Sequence, residues 1–145
     1  MSAARVFVDT NILLRGMLSQ MDKHQTASHR LLALRAAGSE LWISPQVIRE
    51  YLVQVTHPRT FVPPLPIEAI ARQVNEIQTL FFIAEETVAV VVRLMQLLKE
   101  HPTRGKQIHD ANIVATMLTY GIGTLLTLNV EDMKWFSEKV EVITL

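Results

Sequence analysis

The sequence predicts an α/β fold of three layers, in which helices cover both faces of a mostly parallel sheet of about five strands. Short apolar segments rich in β-branched residues alternate along the chain with longer segments of helical periodicity. Strands this uniformly apolar are buried on both faces, which is typical of a parallel sheet. The 145 residues contain no internal repeat, low-complexity tract or linker, so we expect residues 1–145 to form one domain.

Composition excludes several kinds of chemistry. The chain has no cysteine, which rules out disulfides, thiolate metal sites and cysteine nucleophiles. Its 14 basic and 14 acidic residues balance, so an anionic partner must be held by a local patch rather than by net charge. Apolar residues make up 49% of the chain and the mean hydropathy is +0.22, which suggests a buried interface in addition to the core.

Apolar runs are short. The run Val88–Val92 is far below the ~20 residues that a membrane span requires. Near the N-terminus, Asp9 interrupts the run Val6–Val8, which therefore lacks the apolar region of a secretory signal. We expect a cytoplasmic protein without a membrane segment.

Strands are predicted where short apolar runs end at polar or turn-forming residues. The first is Arg5–Val8, which stops at the sequence Asp-Thr-Asn. The predicted strands are 5–8, 41–43, 80–84, 124–128 and 140–144.

Helices are predicted from capping residues and apolar spacing. Ser44 and Pro45 indicate a helix start, because a Ser side chain accepts from the free N–H groups there and Pro suits the first turn. Gly38 and Gly121 are suitable stops. The predicted helices are 12–37 with a candidate break at 21–23, 45–56, one beginning at Pro66, 87–100, 110–120 and 131–136. In the first, helical spacing groups His29, Leu32, Ala33 and Ala36.

Four oxygen-donor side chains are expected at one edge of this sheet. Asp9 and Asn129 follow predicted strands, and Glu50 and Asp110 lie early in helices that follow strands. Each residue alone also fits a helix cap or a solvated charge. Two carboxylates 4 Å apart repel by roughly 4 kcal/mol at an effective dielectric constant near 20. A cation would relieve this repulsion, and all-oxygen donors select Mg²⁺ or Mn²⁺.

These residues resemble the PIN domain family, and its VapC-type toxin nucleases in particular. The resemblance covers nearly the whole chain and rests on four pieces in the family's order. They are Val8-Asp9-Thr10-Asn11, Glu50, the segment His109–Ala115 and the segment Thr127–Asp132.

The resemblance implies a sheet of order 3-2-1-4-5 and a metal-dependent ribonuclease that cleaves single-stranded RNA. Asp9, Glu50 and Asp110 match the family's three core acidic positions, and these three with Asn129 are the predicted metal site. Asn129 matches a fourth position that is often Asp, so the site has one charge fewer. Secondary roles in orienting ligands or water fall on Thr10, Asn11, Thr127 and Asp132. The resemblance also implies a homodimer and a cognate antitoxin.

Basic residues near the motifs are the candidate RNA contacts. Arg104 and Lys106 run directly into Asp110 and are the first choice for phosphate binding, with Arg15 and Arg49 as further candidates. For partner contacts, the segment that contains Val88–Val92 and Met95 is apolar nearly all round.

Three other readings compete with a ribonuclease. A phosphatase of the haloacid dehalogenase type needs a second Asp where this chain has Asn11, and we set it aside. A structure-specific DNA nuclease would need longer insertions and more acidic residues. A PIN-like scaffold that binds RNA or a protein with weak or no catalysis stays open, because Asn129 lacks a charge.

Overall fold

The computed structural model describes residues 3–145, and these residues form one five-stranded parallel sheet. Its strands are β1 (Arg5–Val8), β2 (Glu40–Ile43), β3 (Phe82–Ile83), β4 (Thr124–Leu126) and β5 (Glu141–Ile143). They lie in the order β3-β2-β1-β4-β5, and every neighbouring pair is parallel. The predicted fold class and strand order are confirmed.

Three strands are shorter than predicted, and for β3 and β4 the reason is visible at one end. β3 begins only at Phe82, because Leu80 ends a helix and the N–H of Phe81 still donates to the Ile77 carbonyl at 3.0 Å. β4 stops at Leu126, and two residues later the N–H of Leu128 donates to the Asn11 side chain instead of a strand. β5 covers 141–143 rather than 140–144.

The helices follow the predicted order with shifted bounds. They are α1 (Thr10–Met17), α2 (His24–Ala36), α3 (Pro45–Thr56), α4 (Ile67–Leu80), α5 (Val88–Glu100), α6 (Gln107–Tyr120), α7 (Val130–Met133) and a 3₁₀ turn (Lys134–Phe136). The break near 21–23 is confirmed, since residues 18–23 separate α1 from α2. α6 begins three residues before the predicted start, so Asp110 is the fourth residue of its helix rather than the first.

The helix predicted from the spacing of residues 29, 32, 33 and 36 is present as α2, but the residues that showed the spacing are not its buried ones. Its buried residues are Ala27 and Leu31, whereas His29, Leu32, Ala33 and Ala36 are exposed. α1 and α2 pack closely through Gly16, where an added Cβ would lie 2.7 Å from a methyl group of Leu31. The partner helix therefore determines the buried side of α2, which contains few large apolar residues.

The start of α3 is where predicted, but its cap is different. The Ser44 hydroxyl is buried and makes no hydrogen bond among the described residues. Instead, the backbone N–H of Gln46 donates to the carboxylate of Glu86 at 3.1 Å, from the loop after β3. A negative charge from a distant segment thus stabilises the positive end of the α3 dipole.

The topology positions a crevice at the carboxyl ends of β1 and β4. These adjacent strands pair, yet the chain leaves β1 through α1 toward β2 and leaves β4 through α7 toward β5, on the other side. With right-handed crossovers, the two connections lie on opposite faces of the sheet. Ligands in open parallel sheets bind at such a reversal point.

The core lies on both faces of β1. Phe7 and Val8 are fully buried at the centre of the sheet, and Ile113 and Val114 of α6 are buried with them. None of the helices within residues 3–145 combines the length and apolarity that crossing a membrane would need.

Candidate active site

Asp9 lies where β1 ends and is the N-cap residue of α1. One carboxylate oxygen accepts the Thr10 N–H at 2.8 Å. The other accepts the Thr127 hydroxyl at 2.7 Å and the Asn11 amide at 3.3 Å. Since Thr127 follows β4, these contacts fix the buried carboxylate between two neighbouring strand ends.

The pKa of Asp9 is raised from its ordinary value of 3.8, mainly because burial removes the carboxylate from water. Hydrogen bonds from Thr127, Thr10 and Asn11 oppose this rise, and the negative charge of Glu50 adds to it. The carboxylate is therefore well hydrogen-bonded, but among residues 3–145 it has no ion-pair partner.

Glu50 lies in the second turn of α3 and is half-buried. The Thr10 hydroxyl donates to one of its carboxylate oxygens at 2.7 Å. The Gln46 amide donates to the other at 2.8 Å. Both oxygens are thus oriented by neutral donors, one from α1 and one from the preceding turn of α3.

Gln46 is a buried residue that the sequence reasoning missed. Besides its bond to Glu50, its amide N–H₂ group donates to the His109 carbonyl at 3.0 Å. Its side-chain oxygen accepts the Asn112 amide at 2.7 Å. Gln46 therefore joins α3, which contains Glu50, to α6, which contains Asp110. Its spacing of four residues from Glu50 was the available signal.

Asp110 is half-buried on α6, and its pKa is raised from 3.8 to about 6. Burial is the largest cause, followed by the negative charges of Asp9, Asp132 and Glu50; His109 opposes the rise. Asp110 is therefore a partly desolvated carboxyl group that also lies in the field of other carboxylates.

Most of the predicted site residues face one cleft of about 410 Å³. Its lining includes Asp9, Thr10, Asn11, Glu50, Asp110 and Asn129. Asn129 is exposed, and its backbone N–H donates to the Thr127 hydroxyl at 3.0 Å. Asp132 lines a second cleft that adjoins the first at Asp110. We call the first the acidic cleft.

The donors in the acidic cleft are carboxylate, amide and hydroxyl oxygens, which suit a hard divalent cation. Among residues 3–145, however, no three His, Asp or Glu side chains form a group arranged to hold a metal ion. The structure thus brings Asp9, Glu50 and Asp110 to one cleft without closing them into a complete ligand set.

The four predicted RNA contacts occupy different surroundings. Arg49 lines the acidic cleft and lies 3.4 Å from Glu86. Arg104 and Lys106 are exposed on the turn before α6 and line neither cleft. Arg15 donates to the Asn11 carbonyl at 2.9 Å and pairs with Asp22 at 3.4 Å, so its guanidinium is used within the protein.

A carboxylate-lined cleft at the reversal point of a parallel sheet defines an α/β protein with a ligand-binding crevice at the carboxyl ends of its strands. The sequence model of the PIN domain matches residues 6–134, and the chain belongs to that family. PIN domains are generally nucleases. No curated protein matches the chain.

Solved structures of toxin–antitoxin proteins share the fold. The VapBC2 structure from Rickettsia felis, bound to promoter DNA, has a TM-score of 0.71 and 16% identity, covering 97% of this chain and 98% of that one. VapC20 of Mycobacterium tuberculosis, a toxin that cleaves the sarcin–ricin loop, has a TM-score of 0.65, 18% identity, and coverage of 89% and 93%. A toxin–antitoxin complex from Klebsiella pneumoniae has a TM-score of 0.63, 22% identity, and coverage of 99% and 97%.

The Gln46 contacts predict a stability effect. Gln46→Met keeps the side-chain volume but leaves the Asn112 amide and the His109 carbonyl without their partner. We expect the free energy of unfolding to fall by about 1–3 kcal/mol, measured by urea denaturation. Gln54→Met, an exposed residue of the same helix, is the control and should change it by less than about 0.5 kcal/mol. Equal effects of the two variants would contradict the role of Gln46.

The raised pKa of Asp110 predicts a pH-dependent effect in metal-free protein. Well below pH 3.8 the Asp110 carboxyl is protonated in both the folded and the unfolded state. As the pH rises from about 4 to about 6, the carboxyl ionises in the unfolded chain before it does so in the folded protein, so the free energy of unfolding falls. Asp110→Asn removes this loss. We expect it to raise the free energy of unfolding at pH 7.5 by about 1 kcal/mol, a figure reduced for solvent screening.

This gain should disappear near pH 4, where Asp110 is mostly protonated in the folded state. Thermal unfolding at the two pH values measures it, with Glu138→Gln as the control that neutralises an exposed carboxyl. A gain that stays the same at both pH values would show that Asp110 does not titrate as described.

Proposed function

We propose that the chain is a metal-dependent endoribonuclease that cleaves phosphodiester bonds of single-stranded RNA in the cytoplasm, as the toxin of a toxin–antitoxin pair. The observation that supports this most strongly is the meeting of Asp9, Glu50 and Asp110 in one cleft of a PIN-family chain. These side chains come from three separate elements, and no positive group pairs with any of the three among the ion pairs of the described residues.

Mg²⁺ or Mn²⁺ is the cation that this donor set would select. Asp9 and Asp110 would hold it directly, Glu50 directly or through water, and Asn129 would offer a neutral oxygen. When bound, such an ion lowers the pKa of a water molecule and stabilises negative charge on phosphate oxygens. The raised pKa of Asp110 supports this assignment: burial is its largest cause, and the negative charges of Asp9, Asp132 and Glu50, which a cation in the cleft would offset, add to it.

The chain's own residues orient the reacting groups. Thr10 and Gln46 hold the two Glu50 oxygens, which leaves lone pairs on a fixed carboxylate to accept a hydrogen bond from the attacking water. Thr127 and Asn11 fix Asp9 in the same way from the other side. The proposed contribution of these neutral residues is positioning, which avoids reorganisation during the reaction.

RNA would reach the cleft across a locally basic edge. Arg49 lines the cleft, and Arg104 and Lys106 are exposed before the helix that contains Asp110, so these three are the proposed phosphate contacts. Arg15 remains the weakest candidate, because its guanidinium is already bonded to the Asn11 carbonyl and to Asp22.

A scaffold that binds RNA or a protein without efficient cleavage is the second candidate. It is favoured by the neutral Asn129 and by the absence of a closed three-residue ligand group in residues 3–145. Turnover distinguishes the two: a scaffold would bind single-stranded RNA without metal-dependent cleavage.

Single substitutions of Asp9 and Asp110 test the nuclease. Each of Asp9→Asn and Asp110→Asn should lower Mg²⁺-dependent cleavage of a single-stranded RNA by on the order of 100-fold, since each removes a proposed ligand. The control, Asp22→Asn, changes an exposed aspartate outside both clefts and should retain activity. Full activity in both cleft variants would exclude the assignment.

A homodimer through α5 is the proposed assembly. The α5 face contains Val88, Val91, Val92 and Met95, with Val88 78% and Val91 56% exposed. Adjacent exposed apolar side chains of this kind are typical of an interface. An antitoxin is the further proposed partner, in line with the toxin–antitoxin complexes among the similar structures.

A charged substitution on the α5 face tests whether the chain dimerises through this face. Val91→Lys should raise the dimer dissociation constant at least about tenfold, because it buries an unpaired ammonium group in the interface. Sedimentation velocity over a concentration series measures the shift. Val62→Lys introduces the same charge in an exposed loop and should leave association unchanged. A wild-type chain that sediments as a monomer would remove the dimer proposal.

A further inference from the structure

A second cleft adjoins the acidic cleft. It has a volume of about 600 Å³ and lies between the loop before α6, α6 itself, α7 and the 3₁₀ turn. Asp110 lines both clefts, so a ligand that passes Asp110 in one cleft can reach into the other. We call this second cleft the Trp135 cleft.

Trp135 presents an open aromatic surface in this cleft. Its side chain is 57% exposed, although its neighbours Met133 and Phe136 are fully buried and anchor the segment. The His101 ring meets both aromatic rings edge-on, at 6.0 Å from Trp135 and 5.8 Å from Phe136. The indole is therefore supported from within the protein while much of its surface faces outward.

Trp42, the other tryptophan of the chain, differs from Trp135 in that its ring is in contact with other side chains. Trp42 is half-buried and stacks on Phe82 at 5.1 Å, and its indole N–H donates to Glu40 at 3.1 Å. Its ring is thus occupied by contacts within the fold. Trp135 stands at the cleft with its surface available for stacking.

The polar lining of the Trp135 cleft suits a base better than a phosphate. The charged groups of the lining are the carboxylates of Asp110, Glu131 and Asp132 and the ammonium group of Lys134, which lies 3.9 Å from Glu131. This excess of negative charge disfavours a phosphate, whereas carboxylates accept hydrogen bonds from the amino groups of nucleobases. Bases of single-stranded RNA are commonly stacked on aromatic side chains and bonded along their edges. Thr103 and Gln107 add neutral hydrogen-bonding groups to the same lining.

We propose that the Trp135 cleft is a nucleobase subsite, in which a base close to the scissile phosphate stacks on Trp135 and donates its amino group to Glu131 or Asp132. This inference rests on the proposed ribonuclease function and adds a determinant of its substrate choice. A base with an exocyclic amino group is preferred over uracil, which has none.

A double-substitution cycle tests the subsite. The probes are fluorescein-labelled nine-nucleotide single-stranded RNAs, each with one abasic position, and the dissociation constants are measured by anisotropy in the Asp9→Asn background. We expect one abasic position to weaken binding about tenfold when Trp135 is present. In the added variant Trp135→Ala the same position should change binding less than about twofold, because the stacking partner is already lost.

Two further variants separate stacking from general damage. Trp135→Phe should recover most of the abasic effect, and Phe82→Ala, which truncates an aromatic side chain that is 51% exposed at the sheet edge, should leave that effect unchanged. With cleavage-competent protein, Trp135→Ala should raise KM about tenfold while kcat changes little.

The possible results are distinct. An abasic effect of equal size with and without Trp135, or no binding of any RNA, would overturn the subsite. Binding of a cationic peptide that depends on Trp135, with no abasic position of consequence, would assign the cleft to a protein partner and overturn it too. A Trp135-dependent abasic effect without metal-dependent cleavage would support the subsite and remove the nuclease proposal.

Discussion

The hydrogen bonds around the Asp9 carboxylate fix the candidate site to the centre of the sheet. One oxygen caps α1 through Thr10, and the other receives the Thr127 hydroxyl from the end of β4. The carboxylate therefore connects two paired strands and the first helix, at the point where the topology reverses. Because it is buried, moving it would break these bonds without replacing them by water. The position of the acidic cleft follows from this arrangement.

The buried carboxylates of the acidic cleft are also electrostatically unfavourable. Burial raises the pKa values of Asp9 and Asp110, and the negative charge of Glu50 raises both further. Part of this cost is offset by neutral donors such as Thr10 and Thr127, which stabilise negative charge without cancelling it. A lysine or arginine in their place would stabilise the empty site more, but it would also occupy the position that a cation requires. The fold thus keeps the cleft negatively charged, and this lowers the stability of the folded protein.

The sequence predicted the features that depend on local pattern. Strand β1, the break between α1 and α2, and the start of α3 at Pro45 all have local signals in apolar runs, turn residues or proline. The strand order came from the family resemblance, because no local pattern determines which parallel strands become neighbours. The candidate site was predicted from position along the chain: Asp9 follows a strand, and Glu50 lies early in a helix that follows a strand, so both were expected at the carboxyl edge of the sheet.

Features that depend on distant contacts were missed or wrong. The cap of α3 comes from Glu86, 40 positions beyond Gln46, so Ser44 was the reasonable but incorrect local choice. The buried face of α2 is determined by close approach to Gly16, which the spacing of its apolar residues does not reveal. Trp135 also gave no signal, since exposure of a tryptophan can be recognised only once its neighbours are placed.

Gln46 shows why the link between the two acidic helices is an amide. The residue must bond to the Glu50 carboxylate, the His109 carbonyl and the Asn112 amide, which requires two donors and an acceptor in one group. A carboxylate there would repel Glu50 and could not donate, whereas a lysine could not accept from Asn112. Among side chains of this length, an amide alone meets all three requirements and adds no charge beside Glu50 and Asp110. The separation of α3 and α6 is thus held by a group that leaves the charge of the acidic cleft unchanged.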